Sequence, residues 1–172
     1  MKTIVIYNSK TGFTKRYAEW IAKAAGAGCL SLSEAKRKDL TGYDAIVFGS
    51  WACAGSIKDV DWFTENMDRW KGKKLIVFCV GASPVTPDVE KSLAQNFNAP
   101  KLERADVFYC PGGLNYEKMS TSSRIMMRMF VKMIKAKKNK SATEEEMARV
   151  MASSYDIADK KYIEPILTCL RG

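Results

Sequence analysis

The fold of this chain is decided by residues 3–14, which read TIVIYNSKTGFT. Thr3 to Tyr7 is a short β-branched run of the kind found in buried strands, and a polar turn containing Gly12 follows it directly. Apolar residues then recur at helical spacing, at Tyr17, Trp20, Ile21 and Ala24. The stretch therefore predicts a strand, a loop and a helix in immediate succession.

The same alternation continues along the chain. Apolar runs predict four further strands, at Cys29–Ser33, Ala45–Gly49, Leu75–Val80 and Ala105–Cys110. Helices are predicted around Val60, Phe63 and Met67 and over Pro87–Phe97. Because parallel strands need right-handed crossover connections, the pattern predicts a three-layer α/β fold with a parallel sheet. Ligands bind such sheets beyond the carboxyl ends of the strands, so the loops to inspect follow Tyr7, Gly49 and Val80.

Two more helices are predicted near the carboxyl end. Thr143–Met151 begins with Thr143 and Glu146, which have the spacing of a capping box. A last helix is expected from about Lys160 to Leu170, where Pro165 is an awkward interior residue.

The composition limits the class of protein. With 172 residues, 47% of them hydrophobic, we expect one domain over residues 1–172. No apolar run is long enough to span a membrane and no secretory signal is visible, so we expect a cytoplasmic protein. Five cysteines without a CxxC pair fit that reducing compartment. Histidine is absent, so we expect no metal site and no catalytic side chain, and a cofactor would carry any chemistry.

The loop after the first strand has the residues of an anion cradle. Hydroxyls surround a glycine there, and backbone N–H groups at a helix start converge on an anion. The GxxxxGK[ST] and GxGxxG spacings are both missing, so a single phosphomonoester is the expected ligand. An ordinary helix start capped by serine or threonine remains an alternative. The candidate binding residues are Ser9, Lys10, Thr11, Gly12, Phe13 and Thr14.

This loop resembles the phosphate loop of the flavodoxin family, which reads T/S-x-T-G-x-T directly after the first strand. The matching positions are Ser9, Thr11, Gly12 and Thr14. The resemblance covers roughly residues 1–110 in the order of elements, and it implies a five-stranded parallel sheet of order 2-1-3-4-5 that binds FMN. It also implies flavin contacts from two later loops, at Trp51, Ala52, Cys53, Gly81, Ala82 and Ser83.

The later loops leave alternatives open. Trp51 is the candidate for stacking on the flavin ring, although an aromatic residue at a strand end also suits a plug of the core. Cys53 equally suits a small buried apolar residue. The loop from Gly81 to Pro84 lacks the tyrosine and acidic residues of most flavodoxins. We therefore expect the outer flavin face to be open or covered by Tyr116.

Positive charge is concentrated in residues 101–140, within a total net charge of +9. At 100° per residue, Arg124, Arg128, Lys132 and Lys135 fall in one arc of an added helix near residues 120–140. The apolar side is predicted to hold Ile125, Met126, Met129, Phe130, Met133 and Ile134. The helix would either dock on the domain with a solvated basic face, meet an anionic partner or acceptor, or lie on an anionic membrane. A nucleic-acid partner is not expected, because no groove-binding motif or stacking platform is present.

The sequence thus predicts an FMN-binding electron-transfer protein or small FMN oxidoreductase, working with a redox partner protein or small-molecule acceptor. Gly112–Tyr116 and the basic helix are similar to menaquinone-linked protoporphyrinogen oxidases. That likeness implies the alternative of a tetrapyrrole oxidoreductase, or its electron-donating subunit, using residues 118–140. A docking or membrane-surface-associated subunit is the remaining alternative.

Overall fold

A parallel sheet forms the centre of the computed structural model, which describes residues 1–53, 56–85 and 102–172. Its main strands are β1 (Thr3–Tyr7), β2 (Gly28–Ser31), β3 (Ala45–Cys53), β4 (Lys74–Gly81) and β5 (Asp106–Pro111). They are ordered β2-β1-β3-β4-β5, and every one of these pairings is parallel. The α/β class and the predicted 2-1-3-4-5 order of the parallel strands are confirmed. A two-residue strand, Ser56–Ile57, folds back antiparallel on the end of β3 and was not predicted.

Helices connect and flank the strands. The described α-helices are α1 (Phe13–Ala25), α2 (Leu32–Ala35), α3 (Val60–Asn66), α4 (Thr121–Ala136), α5 (Ala142–Val150) and α6 (Glu164–Arg171). Turns of 3₁₀-helix cover Met67–Trp70 and Lys160–Ile163. The predicted helix at Pro87–Phe97 lies outside the described residues. In the parts of the chain that are described, no helix is both long and apolar enough to cross a bilayer.

Two apolar cores lie on opposite faces of the sheet, because successive strand side chains point to opposite sides. Ile4, Ile6 and Phe48 pack on one face with Phe63 of α3. Val5 and Val47 pack on the other face with side chains of α1 and α6, among them Tyr17, Ile21 and Ile166. Burial on both faces explains why the β4 sequence reads as a continuous apolar run.

Three predicted boundaries are wrong for local reasons. The second strand ends at Ser31 because the Ser31 hydroxyl caps α2, accepting a hydrogen bond from the Glu34 N–H at 3.3 Å. The capping box of α5 is formed by Ser141 and Glu144, two residues before the predicted pair. Pro165 lies in the first turn of α6, where its missing N–H costs nothing.

An added segment follows β5. Strands Gly113–Leu114 and Tyr155–Asp156 pair antiparallel and enclose α4 and α5, and Leu114, Val131 and Met151 form a small third core. Helix α4 is buried through Val131 and Ile134. Of the six residues predicted for the apolar side of this helix only Ile134 is buried, because Met127, Val131 and Ile134 form a second apolar stripe and that stripe faces inward.

Candidate functional site

The loops that follow β1, β3 and β4 meet at one edge of the sheet, as parallel strands require. They enclose a cleft of about 400 Å³. Nine of the predicted residues line it: Lys10, Thr11, Phe13, Thr14, Trp51, Ala52, Cys53, Gly81 and Ala82. Ser9, Gly12 and Ser83 do not line this cleft, although the first two shape the loop that does. The structure therefore brings most of the predicted set together, and flavin contact by each residue stays a prediction.

The loop between β1 and α1 keeps the start of α1 open to an anion. Gly12 precedes α1 with φ +102°, a conformation that favours glycine, and no side chain caps the helix there. Ser9 instead braces the loop, its hydroxyl accepting the Gly12 N–H at 3.2 Å. By contrast, α2, α4 and α5 begin at serines whose hydroxyls accept a first-turn N–H. The capped-start alternative is thus wrong for α1, and its first-turn N–H groups suit a phosphate.

The second wall of the cleft is the end of β3. Trp51 is half-buried and lines the cleft beside Ala52 and Cys53. The Lys58 N–H donates to the Trp51 carbonyl at 3.0 Å, so the return strand holds this wall in place. The Asn8 side chain donates to the Asp59 carboxylate at 2.6 Å and ties the wall to the phosphate loop. Trp51 is therefore placed for ring stacking, which stays a prediction.

The third wall follows β4 and is held by two tyrosines. The Tyr109 hydroxyl donates to the Ser83 carbonyl at 2.7 Å, and the Tyr155 hydroxyl donates to the Ala82 carbonyl at 2.6 Å. Burial raises the pKa of Tyr155 to about 12 and raises the pKa of Tyr109 further, so both hydroxyls stay protonated as donors. Gly81 is required here, because a Cβ on it would lie 2.3 Å from the Tyr109 hydroxyl oxygen.

The fourth wall comes from the added segment and was missed in the sequence analysis. Leu114, Met119, Met126 and Met127 line the cleft. The Lys10 ammonium donates to the Ser123 hydroxyl at 3.3 Å and joins this wall to the phosphate loop. Tyr116 is not one of the lining residues, and its hydroxyl donates to the Met151 carbonyl at 2.7 Å. The available signal was that the chain leaves β5 at the same sheet edge as the other loops.

Positive charge surrounds the phosphate loop. Lys10 and Lys58 line the cleft, and among the described lining residues there is no carboxylate. A neighbouring cavity of about 380 Å³ shares Thr11 and Phe13 with the cleft and contains Lys118, while the charge of Arg16 in it is neutralised by the ion pair with Asp156 at 2.6 Å. The Lys118 ammonium nitrogen lies 3.9 Å from the position that a Cβ on Gly12 would occupy. These cations favour an anion at the loop.

The described lining of the cleft consists mainly of hydroxyl, backbone and apolar groups, with two lysines. Cys53 is half-buried at its edge. The deeper thiols lie in the core, and burial raises the pKa of Cys79 to about 12. Within residues 1–53, 56–85 and 102–172, no three His, Cys, Asp or Glu side chains are grouped to hold a metal ion. A phosphate cradle beside an apolar slot is what a phosphorylated planar ligand would need.

Comparisons with known proteins give a family for the chain and several similar solved structures. No curated protein sequence matches the chain. Similar solved structures include a flavoprotein in complex with FMN from Lactobacillus acidophilus NCFM (18% identity, 64% of this chain and 91% of that chain, TM-score 0.48). Others are a WrbA-like flavodoxin from Agrobacterium tumefaciens (21%, 88% and 97%, 0.45) and oxidised flavodoxin 1 from Bacillus cereus (22%, 77% and 98%, 0.47). The family model for the flavodoxin domain matches residues 4–141, and with that span the chain belongs to the flavodoxin domain family.

Proposed function

We propose that this protein binds FMN in the cleft and carries electrons between redox partners. The observation that carries the proposal is the uncapped start of α1 at Gly12, which opens beside an apolar slot at the carboxyl edge of the sheet. Membership of the flavodoxin domain family supports the same cofactor. FMN supplies reversible one- and two-electron chemistry when bound.

In this proposal the residues of the cleft bind FMN and shield its ring from water. Backbone N–H groups of the first turn of α1, with the hydroxyls of Thr11 and Thr14, hold the phosphate. Trp51 and the backbone at Gly81 and Ala82 flank the ring, and the methionines of the added segment exclude water from its edge. No side chain of the cleft is needed to move a proton.

Binding of FMN is tested by titration followed through flavin fluorescence, with riboflavin as a ligand that lacks the phosphate. Thr11→Val removes one hydroxyl of the cradle, so FMN affinity should fall about fivefold to tenfold while riboflavin affinity is unchanged. Thr168→Val is the matched control, because Thr168 is exposed on α6, outside the cleft. Failure of wild-type protein to bind FMN at micromolar concentration contradicts the proposal.

The electron-carrying role has its own test. Lys10 and Lys58 place positive charge in the cleft, the charge of Lys58 being partly offset by Asp59 at 3.9 Å, and this charge stabilises the negative charge that reduction adds there. Lys10→Gln and Lys58→Gln should therefore lower the midpoint potential, and Lys15→Gln, which lies outside the cleft on α1, should leave it unchanged. Equal potentials in all three variants would contradict this electrostatic role.

Electron transfer itself is tested by mixing anaerobically reduced protein with candidate acceptors. If the reduced protein reduces no protein or small-molecule acceptor, electron carriage is contradicted.

A second candidate function is an FMN oxidoreductase with its own substrate. The apolar wall of Leu114, Met119 and Met126 extends the cleft beyond the strand-end loops and favours this function. Tetrapyrroles are one substrate class to assay with the FMN-loaded protein, alone and as an electron-donating subunit. Turnover that Met119→Ala reduces by a larger factor than it weakens FMN binding would support a substrate of the protein's own. If no tetrapyrrole is turned over while the reduced protein still passes electrons to other acceptors, simple electron carriage is the function that stands.

A further inference from the structure

Helix α4 carries an uncovered apolar stripe, the methionine stripe, formed by Ile125, Met126, Met129, Phe130 and Met133. These side chains are 54%, 61%, 66%, 39% and 63% exposed, in that order. The helix packs on the protein through Val131 and Ile134 instead. At 100° per residue the stripe is centred on the order of 140° around the helix from that buried side. It therefore faces outward.

Cations line one edge of the methionine stripe. Arg128, Lys132 and Lys135, the basic flank, fall between the stripe and the buried side of α4. Helix α4 contains no acidic residue. Among the described residues no carboxylate forms an ion pair with the basic flank, whereas the next lysine, Lys137, pairs with Glu144 at 2.6 Å. The exposed apolar surface thus has unneutralised positive charge beside it.

We propose that α4 docks on an anionic lipid surface, with the methionine stripe in the apolar boundary and the basic flank against the headgroups. An interfacial helix has this arrangement of an apolar face edged by lysine and arginine. The 16 residues of α4 extend over about 24 Å. Because the methionine stripe runs along the side of the helix, the helix would lie parallel to the membrane surface. Each cation near such a surface strengthens binding electrostatically.

The shape and chemistry of the stripe favour lipid over a protein partner. Its five side chains carry no N–H, O–H or carbonyl group, whereas a protein interface contains about one hydrogen bond per 100–200 Å². Methionine side chains are flexible and adapt to a fluid surface. Met126 also lines the cleft, so docking through α4 places the mouth of the cleft close to the membrane.

The test is co-sedimentation with phosphatidylcholine vesicles prepared with and without phosphatidylglycerol. The wild-type protein should bind vesicles that contain phosphatidylglycerol and bind pure phosphatidylcholine at least about tenfold more weakly. Arg128→Gln/Lys132→Gln and Met129→Ser/Met133→Ser should each weaken binding by about tenfold or more. Lys36→Gln/Lys38→Gln removes the same net charge outside α4 and should change binding by less than about twofold. Met126 is kept because it lines the cleft.

Three results would overturn the proposal. Wild-type protein that fails to sediment with phosphatidylglycerol vesicles is one, and equal binding to both vesicle types is another. The third is a wild-type dimer in light scattering that Met129→Ser/Met133→Ser converts to monomer, since a second copy would then cover the stripe. FMN titration of each variant without vesicles reports separately on the fold and on the proposed cofactor.

Discussion

Gly81→Ala should damage both the core and the cleft through one neighbour, Tyr109. The added Cβ would lie 2.3 Å from the Tyr109 hydroxyl oxygen and 2.6 Å from the ring carbon Cε2. Such distances force the ring to move as a rigid unit, which costs about 1–3 kcal/mol for overpacking. The movement also breaks the hydrogen bond from Tyr109 to the Ser83 carbonyl, worth roughly 1 kcal/mol. The expected loss of unfolding free energy is therefore about 2–4 kcal/mol.

Urea unfolding measures this loss. With a slope of about 2 kcal/mol per molar urea, the unfolding midpoint should fall by roughly 1–2 M. Gly42→Ala is the matched control, because a Cβ on Gly42 meets no atom within 4 Å and its backbone has no positive φ. That control should stay within about 0.5 kcal/mol of wild type.

A double-mutant cycle identifies Tyr109 as the cause. In a Tyr109→Leu background the ring is gone, so Gly81→Ala should cost less than about 1 kcal/mol there. FMN affinity should follow the same pattern, since Gly81 lines the cleft. Additive free energies within about 0.5 kcal/mol would refute this reasoning, because the penalty would then arise somewhere other than at the ring.

Three further substitutions test other parts of the molecule. Gly12→Ala must hold an alanine at φ +102°, so it should lower stability by about 1–2 kcal/mol and weaken FMN binding more than riboflavin binding, measured by parallel titrations. Tyr17→Phe removes a hydroxyl that donates to the Pro111 carbonyl at 2.6 Å and should cost about 1–3 kcal/mol in urea unfolding, whereas Tyr43→Phe, which removes no described hydrogen bond, should cost little. The Arg16 guanidinium holds the pKa of Asp156 below its ordinary 3.8. The ion pair therefore contributes to the stability of the folded protein above about pH 3.8, and this contribution is lost as the pH falls through the pKa of Asp156 in the folded protein. Asp156→Asn should therefore be less stable than wild type at pH 7 and lose the difference on acidification below about pH 4, as followed by thermal unfolding.

The sequence predicted the sheet and three walls of the cleft because those features depend on local patterns. A β-branched run followed by a glycine-containing polar turn specifies a strand end and a helix start wherever it occurs. The meeting of Trp51 with Gly81 then follows from the rules of parallel sheets, whereas the strand order was implied by the resemblance to the flavodoxin family. The ends of helices and strands were harder to predict. Ser31 and Ser141 cap helices, but neighbouring serine or threonine residues have the same preference for the capping position, so the sequence does not show which of them is used.

Local sequence patterns could not predict which side of α4 packs on the protein. Its sequence contains two apolar stripes, one with Val131 and the other with Met129, and periodicity alone does not say which stripe packs inward. The choice is made by long-range contacts, because Leu114 and Met151 form the small core that receives Val131. A sequence argument that assumes one apolar side per helix therefore misses the smaller stripe that packs inward.

The fourth wall of the cleft was missed because it, too, depends on long-range contacts. This wall makes the added segment part of the cleft. The added segment is not an independent appendage, since the Tyr155 hydroxyl from its two-stranded sheet donates to the Ala82 carbonyl and the Ser123 hydroxyl accepts a hydrogen bond from the Lys10 ammonium. These two bonds connect the segment to the third wall and to the phosphate loop. Loss of either bond should therefore change the width of the cleft as well as the position of α4. The proposed lipid surface at α4 and the proposed FMN in the cleft would therefore both contact elements joined by these two hydrogen bonds.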